Sequence, residues 1–405
     1  MLRMPSCPPT SEVAERHTAR CRAKRPLHRA AIWFGAVVAA LPIGASAQMP
    51  HTAAACRAGH MAPWHLVEEA QPGVPRPIVT AETLLAIRQL VRRNQFATLD
   101  SAFARYESAA KLDARNDLAW ANASWAFTVI DPTLQDPLDA WVKTTGSSAA
   151  RIARATYRTT RAGTARGDKW ASETSDSAFA HMSRLDYLAW LDLQPVLEKD
   201  STNLLALLSV LDIAMANGDE LHARAAAQMA LTASPTSWVA WTQVQYALDP
   251  RYFGSVEAVE AVATAADTFA AKNPQLRALH GFVSADRGDS LFDETDDTTA
   301  TLKAYNQALR YGDSRAARFG RGTLYRYIGR YKDAIDDLTC AAAYTPAAAG
   351  VLAVRGLARL EWAEDAAPAL ARSLRAQGEA DLRLAAALDA KDGTVKWAQK
   401  QKPRP

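Results

Sequence analysis

The chain has 405 residues, of which 49% are hydrophobic, 22% charged and 8% aromatic. That balance excludes a disordered tail, a collagen-like fibre and a polytopic membrane protein. Alanine supplies roughly a fifth of the residues, which points to closely packed helices.

The formal charge of +4 belongs to the N-terminus. Arg3, Arg16, Arg20, Arg22, Lys24, Arg25 and Arg29 precede an apolar run from Ala30 to Ala45, followed by Ala45-Ser46-Ala47. Basic region, short apolar core and small-residue site in that order predict a secretory signal peptide over 1–47, cut between Ala47 and Gln48. The other reading, a membrane anchor, is opposed by the shortness of the run and by Pro42 within it. Without the leader, 40 Lys+Arg face 41 Asp+Glu, a net of −1, which leaves no electrostatic footprint for nucleic acid. The expected location is the periplasm or the exterior, with no stable membrane span once the leader is cut.

Cys7 and Cys21 leave with the leader, so only Cys56 and Cys340 remain. An oxidising compartment permits a Cys56–Cys340 disulfide; the plainer reading is a buried thiol at Cys340 and a free one at Cys56.

Residues 48–79 hold Pro50, Pro63, Pro72, Pro75 and Pro77 and read as a linker. A helical period begins at Thr80, an N-cap with Glu82 behind it, and carries Leu84, Leu85, Ile87, Leu90 and Val91. Asp136-Pro137 and Asn273-Pro274 pair a capping side chain with proline at the first helical position. Strand-like alternation is nearly absent, so 80–390 is predicted to be helices of ordinary length joined by short turns, and 391–405 a tail.

Repeats set the architecture. From Arg321 to Pro346, Gly322 admits a close second helix, Gly329 ends the first and Tyr331 opens the next; Ala334, Leu338 and Ala341 face back, and Pro346 closes the unit. This resembles the tetratricopeptide repeat (TPR), with Arg318 where Trp is usual and Arg321 where Leu is usual. The same spacing recurs in Gly218, Ala223, Ala230 and Pro235, behind the apolar stretch Leu204–Ile213, and Arg355-Gly356 repeats Arg321-Gly322. A degenerate unit at about 204–237 and an array over 273–390 follow, with an irregular last unit. The resemblance implies an all-α, helix-turn-helix solenoid, a TPR-like superhelix, behind an irregular N-terminal helical region.

Residues 80–272 carry a second set of marks: Phe96 and Leu99, Asp136-Pro137 with Trp141, Ser148-Ala149, Arg166-Gly167-Asp168-Lys169-Trp170-Ala171, Val210–Asp219, and Leu248-Asp249-Pro250-Arg251 with Tyr252 and Gly254-Ser255. They resemble a bacterial domain of unknown function, the 4034 family, found in exported proteins with tetratricopeptide repeats. That resemblance implies no activity.

No nucleophile, zinc-protease, redox-cysteine or phosphate-loop motif is present, so no catalytic residues, cofactor or metal are assigned and the chain is not read as an enzyme. His51, Cys56, His60 and His65 have no zinc or copper spacing and read as residues of the linker. Asp286, Asp289, Asp293, Glu294, Asp296 and Asp297 are expected in a long solvated turn, lacking the order of a calcium loop. Two candidate sites remain. The stripe lining the groove of a TPR-like stack selects Phe282, Asp286, Phe319, Thr323, Arg326 and Tyr327, suited to a protein or peptide segment. The alternative is a small-molecule, metal or enzymatic site at Arg166, Lys169 and Trp170 with Trp141 and Arg251, where cations beside an indole suit an anion or sugar.

Overall fold

A computed structural model describes residues 79–401, and every regular element among them is helical. The expected signal peptide, its Ala47–Gln48 cleavage point, nearly all of the 48–79 linker and the His51–Cys56–His60–His65 cluster lie outside the described residues.

Four helices form the irregular N-terminal part: α1 (Ala81–Arg92), α2 (Phe96–Leu112), α3 (Asp117–Ser124) and α4 (Gln135–Thr145). Thr80 caps α1 as expected, its hydroxyl accepting from the Thr83 N–H while Thr83 bonds back to the Thr80 N–H. Asp136 lies inside the first turn of α4, because Asp131 and Pro132 start a tight turn just before it.

Helix pairs then follow. They are α5 (Ser148–Arg166) with α6 (Asp176–Lys199), α7 (Leu204–Ala216) with α8 (Glu220–Ala233), and α9 (Trp238–Ala247) with α10 (Val256–Ala266). After a tight helical stretch at Pro274–Gly281 come α11 (Phe282–Glu294) with α12 (Thr298–Tyr311), α13 (Arg315–Tyr327) with α14 (Tyr331–Tyr344), and α15 (Ala349–Asp365) with α16 (Pro368–Asp389). The chain is therefore an all-α helix-turn-helix solenoid of the TPR-like kind, with α17 (Gly393–Gln401) at its end.

The repeat spacing read from the sequence has a direct physical cause. Gly218 and Gly329 turn the chain between paired helices at φ +69° and +75°, a region that side chains with a Cβ resist. Ala334, Leu338 and Ala341 are fully buried against α13, and a Cβ on Gly322 would sit 2.9 Å from the Leu338 side chain. In the irregular last unit two glycines meet: a Cβ on Gly378 would lie 2.8 Å from the Gly356 carbonyl oxygen.

A recurrent ionic clamp joins the helices of three pairs, each time two arginines on the first helix and one buried aspartate on the second. Arg154 and Arg158 of α5 hold Asp192 of α6 at 2.5 and 2.6 Å. Arg318 and Arg321 of α13 hold Asp337 of α14 at 2.6 and 2.7 Å. Arg355 of α15 holds Asp381 of α16 at 2.7 Å, joined by Arg359. The departures from the usual Trp and Leu at 318 and 321 are thus complementary: Asp337, and Asp313 beside Arg318, accept what those arginines donate.

Contacts cross the expected boundary near 272, with α1–α3 meeting elements on both sides of it. All eight residues of α3 are buried. Ser237, at the start of α9, donates to Asp117 of α3; Asn122 of α3 donates to the Tyr344 carbonyl at the end of α14 at 3.5 Å. Arg88 of α1 donates to the Leu388 carbonyl of α16 at 2.5 Å and to the Ala126 carbonyl at 2.6 Å. The solenoid therefore curls until its last pair touches its first helix. The expected tail at 391–405 is not a tail over 393–401: α17 packs on α15 and α16 because Val395 and Ala398 give it an apolar face, both fully buried.

Candidate functional site

The first helices of successive pairs stand side by side, and their side chains are linked across the joints. Gln243 of α9 donates to Asp212 of α7. Arg251, in the loop after α9, pairs with Asp286 of α11 at 2.8 Å. Phe292 of α11 meets Tyr327 of α13 edge-on at 5.8 Å, and Arg326 of α13 pairs with Glu361 of α15 at 2.5 Å. These contacts run along the wall formed by the first helices, which in a TPR-like stack is the inner one.

Several groups on this wall are open to water and yet hemmed in by protein. Asp212 is exposed, but burial of its surroundings pushes its carboxyl up to about 7, with help from the charge of Asp186 and against the hydrogen bond from Gln243. Asp289 of α11 is likewise exposed and is pushed up to about 6 by desolvation, although the Tyr305 hydroxyl donates to it at 2.7 Å. Arg315 is half-buried, and desolvation draws its guanidinium down to about 10.

The groove residues selected from the sequence divide. Arg326 and Tyr327 face neighbouring first helices, Asp286 faces Arg251 in the loop after α9, and Tyr327 is 64% exposed. Phe319 packs into the cluster of Tyr325, Leu338 and Val351, while the Thr323 hydroxyl returns to the Phe319 carbonyl at 2.8 Å. Phe282 is half-buried at the start of α11. Arg326 also lies over the ring of Trp397 at 5.1 Å, so α17 contributes to this end of the wall.

The acidic run is not a long turn, a further correction of the sequence reading. Asp286, Asp289, Asp293 and Glu294 belong to α11, and the first three recur at helical spacing on one face. Of the remainder, Asp297 caps α12 by accepting from the Ala300 N–H at 2.8 Å.

The alternative site does not assemble. Trp141 is fully buried, stacked on Phe96 at 6.3 Å, with its indole N–H donated to Asp100 at 3.0 Å. Arg166 is committed to its own turn, donating to the Lys169 and Gly167 carbonyls, and lies over the ring of Phe179. Trp170 is exposed rather than buried, and Arg251 is bound to Asp249 and Asp286. Arg251 thus belongs to the inner wall. Its loop depends on Gly254, where a Cβ would fall 1.8 Å from the Leu248 carbonyl oxygen.

Asp212 and Asp186 escaped the sequence reading. The legible signal was Asp212 itself, the one charged residue in Leu204–Ala216. Among the described residues no cluster of three or more His, Cys, Asp or Glu is arranged to hold a metal ion, and no helix is long and apolar enough to cross a membrane. Cys340 is fully buried and disulfide-bonded, which corrects the expected buried thiol; Cys56 lies outside the described residues.

The raised carboxylates have a consequence for stability. Burial pushes Asp186 up to about 7 against the hydrogen bond from Asn217, matching Asp212. Their folded pKa values lie above the unfolded value of about 4, so the stability they contribute is full below that value and is lost as pH rises through 7. The melting temperature is expected to fall between pH 5.5 and 8, and the D186N/D212N variant to flatten that fall in parallel calorimetric scans. A wild-type profile rising over the same range would contradict the burial of this pair.

No known protein family and no curated relative matches the chain, so the resemblance of the N-terminal half to the 4034 family is without a matching family. Among solved structures, it is similar to a chain of the crystal structure of the APC/C hetero-tetramer Cut9–Hcn1, at 14% identity over 82% of this chain and 79% of that one, TM-score 0.29. It is also similar to yeast Tom70, at 12% identity over 79% and 95%, TM-score 0.26. Superpositions this loose carry no argument about site or partner.

Proposed function

We propose that the protein is an exported, non-enzymatic scaffold that holds a segment of a protein or peptide along the inner wall of its solenoid. The observation that carries this reading is the wall itself, built from successive first helices linked through Gln243 and Asp212, Phe292 and Tyr327, and Arg326 and Glu361. A preformed surface of that kind holds an extended chain at little ordering cost. At one end Tyr327, Phe292, Arg326 and Trp397 combine aromatic faces with a cation, a composition common in protein-recognition sites. The leader-like N-terminus and the disulfide at Cys340 fit an oxidising compartment outside the cytoplasm.

Alanine at both Phe292 and Tyr327 should abolish co-purification of the partner and leave the fold intact, since Tyr327 is exposed. Alanine at Tyr187, exposed on the second helix α6, should leave the complex untouched. Retention of the partner by the Phe292/Tyr327 variant would remove this end of the wall from the binding surface.

A further inference from the structure

We propose that Cys340 is bonded to Cys56, a covalent site on α14 that fastens the segment 57–78 to the pair α13–α14 whether or not a partner occupies the wall. The chain has four cysteines, Cys7, Cys21, Cys56 and Cys340, and Cys340 alone lies among the described residues. Its sulfur is nevertheless disulfide-bonded. The other half of the bond is therefore one of three cysteines. Cys7 and Cys21 both fall in the predicted leader, which leaves Cys56 in the exported chain. Reach is no obstacle, because the residues from Cys56 to Val79 span up to about 75 Å when extended. Val79 is buried and belongs to the same apolar core as Cys340.

Cys340 does not stand on the face of α14 that packs on α13. Asp336, Cys340 and Tyr344 recur at one-turn spacing on a second face, and all three are buried. That face meets the start of the chain: the Tyr344 carbonyl accepts from Asn122 of α3 at 3.5 Å, and the Tyr344 hydroxyl donates to Asp313, just before α13. The disulfide thus lies one turn from the joint between α3 and α14. Bonded at Cys56 and buried at Val79, the segment between them is anchored at both ends. The bond closes a loop of roughly 280 residues, and a cross-link over so long a loop removes much of the freedom of the unfolded chain. Where Arg88 draws the solenoid shut through a hydrogen bond at Leu388, Cys56 does so covalently through α14. Formation is a two-electron oxidation. One cysteine thiolate attacks the disulfide of a thiol–disulfide exchange protein, and the other displaces that protein's sulfur from the mixed bond. The carrier leaves as a dithiol, holding both electrons and the two protons. The fastening is therefore complete only where such an oxidant is present, outside a reducing cytoplasm.

The test is peptide mapping of the full chain, expressed for export with its own leader, after free thiols are alkylated in denaturant. A linked pair of peptides holding Cys56 and Cys340 should appear in the non-reduced digest of the monomer and vanish after dithiothreitol. Alkylation of Cys340 as a free thiol would overturn the proposal. So would a bond from Cys340 to Cys7 or Cys21, or to Cys56 of a second copy in a covalent dimer. A second measurement reads the fastening itself. Reduction should lower the melting temperature by about 5 °C or more, and Cys56→Ser should reproduce that fall without any reductant. Reducing the Cys56→Ser variant should then change nothing further, because its one bond is already gone. A Cys56→Ser variant that melts with the oxidised parent, or that still loses stability on reduction, would place the bond elsewhere.

Discussion

Replacing Asp381 with alanine should lower stability by about 3 kcal/mol, read as a shift in the denaturant midpoint. The substitution strands Arg355 and Arg359, whose side chains are each 14% exposed, in the seam between α15 and α16. Solvent cannot repair the loss, because the same seam is closed by Gly356 against Gly378. The larger part of the effect is the penalty of two unpaired buried guanidiniums rather than the worth of the clamp. It follows that a triple variant with Met at 355 and 359 and Leu at 381 should recover to within about 1 kcal/mol of the parent, since apolar groups of similar volume carry no such penalty. A single substitution as mild as the triple one would show that the clamp is open to water.

The second large effect is expected at Arg88, which ties the two ends of the solenoid together. Its guanidinium is 3% exposed and meets carbonyls at Leu388 and Ala126, the first near the C-terminus of α16, where a cation also complements the helix dipole. Desolvation lowers its pKa to about 10, which leaves it charged at neutral pH. Arg88→Met keeps the stem and leaves both carbonyls without a donor, at a cost of about 3 kcal/mol. Because the contact joins residues 300 positions apart, hydrogen exchange should quicken together in α1 and in the last turns of α16. Loosening confined to α1 would mean that the solenoid is held closed elsewhere.

These two cases also show what a single sequence reveals. The pairs α7–α8 and α13–α14 were legible because their turns demand a left-handed glycine and their seams demand alanine, both local requirements. The Arg-Gly repetition at 321–322 and 355–356 was legible too, but its meaning was not. The matching aspartates lie 16 and 26 residues later, since α15 and α16 are longer than α13 and α14, and no fixed offset exists to be recognised. Closure by Arg88 has no local trace at all. Of the groove stripe, Arg326 and Tyr327 reach neighbouring first helices because α13 has the expected register. Phe319 was misassigned because a large apolar residue on that stripe gains more from Tyr325 and Val351 than from water. Asp286 and Arg251 were each named, for different sites, and only folding brings them 2.8 Å apart. The acidic run misled because its density of charge outweighed the helical spacing of 286, 289 and 293.

The most direct test of the inner wall as a binding surface is photo-crosslinking in the cells that make the protein. A benzoylphenylalanine at Tyr327 should capture one defined partner, and the same group at Tyr187 should capture none. Crosslinks to that partner from Tyr187 and none from Tyr327 would place recognition on the outer helices and contradict the account.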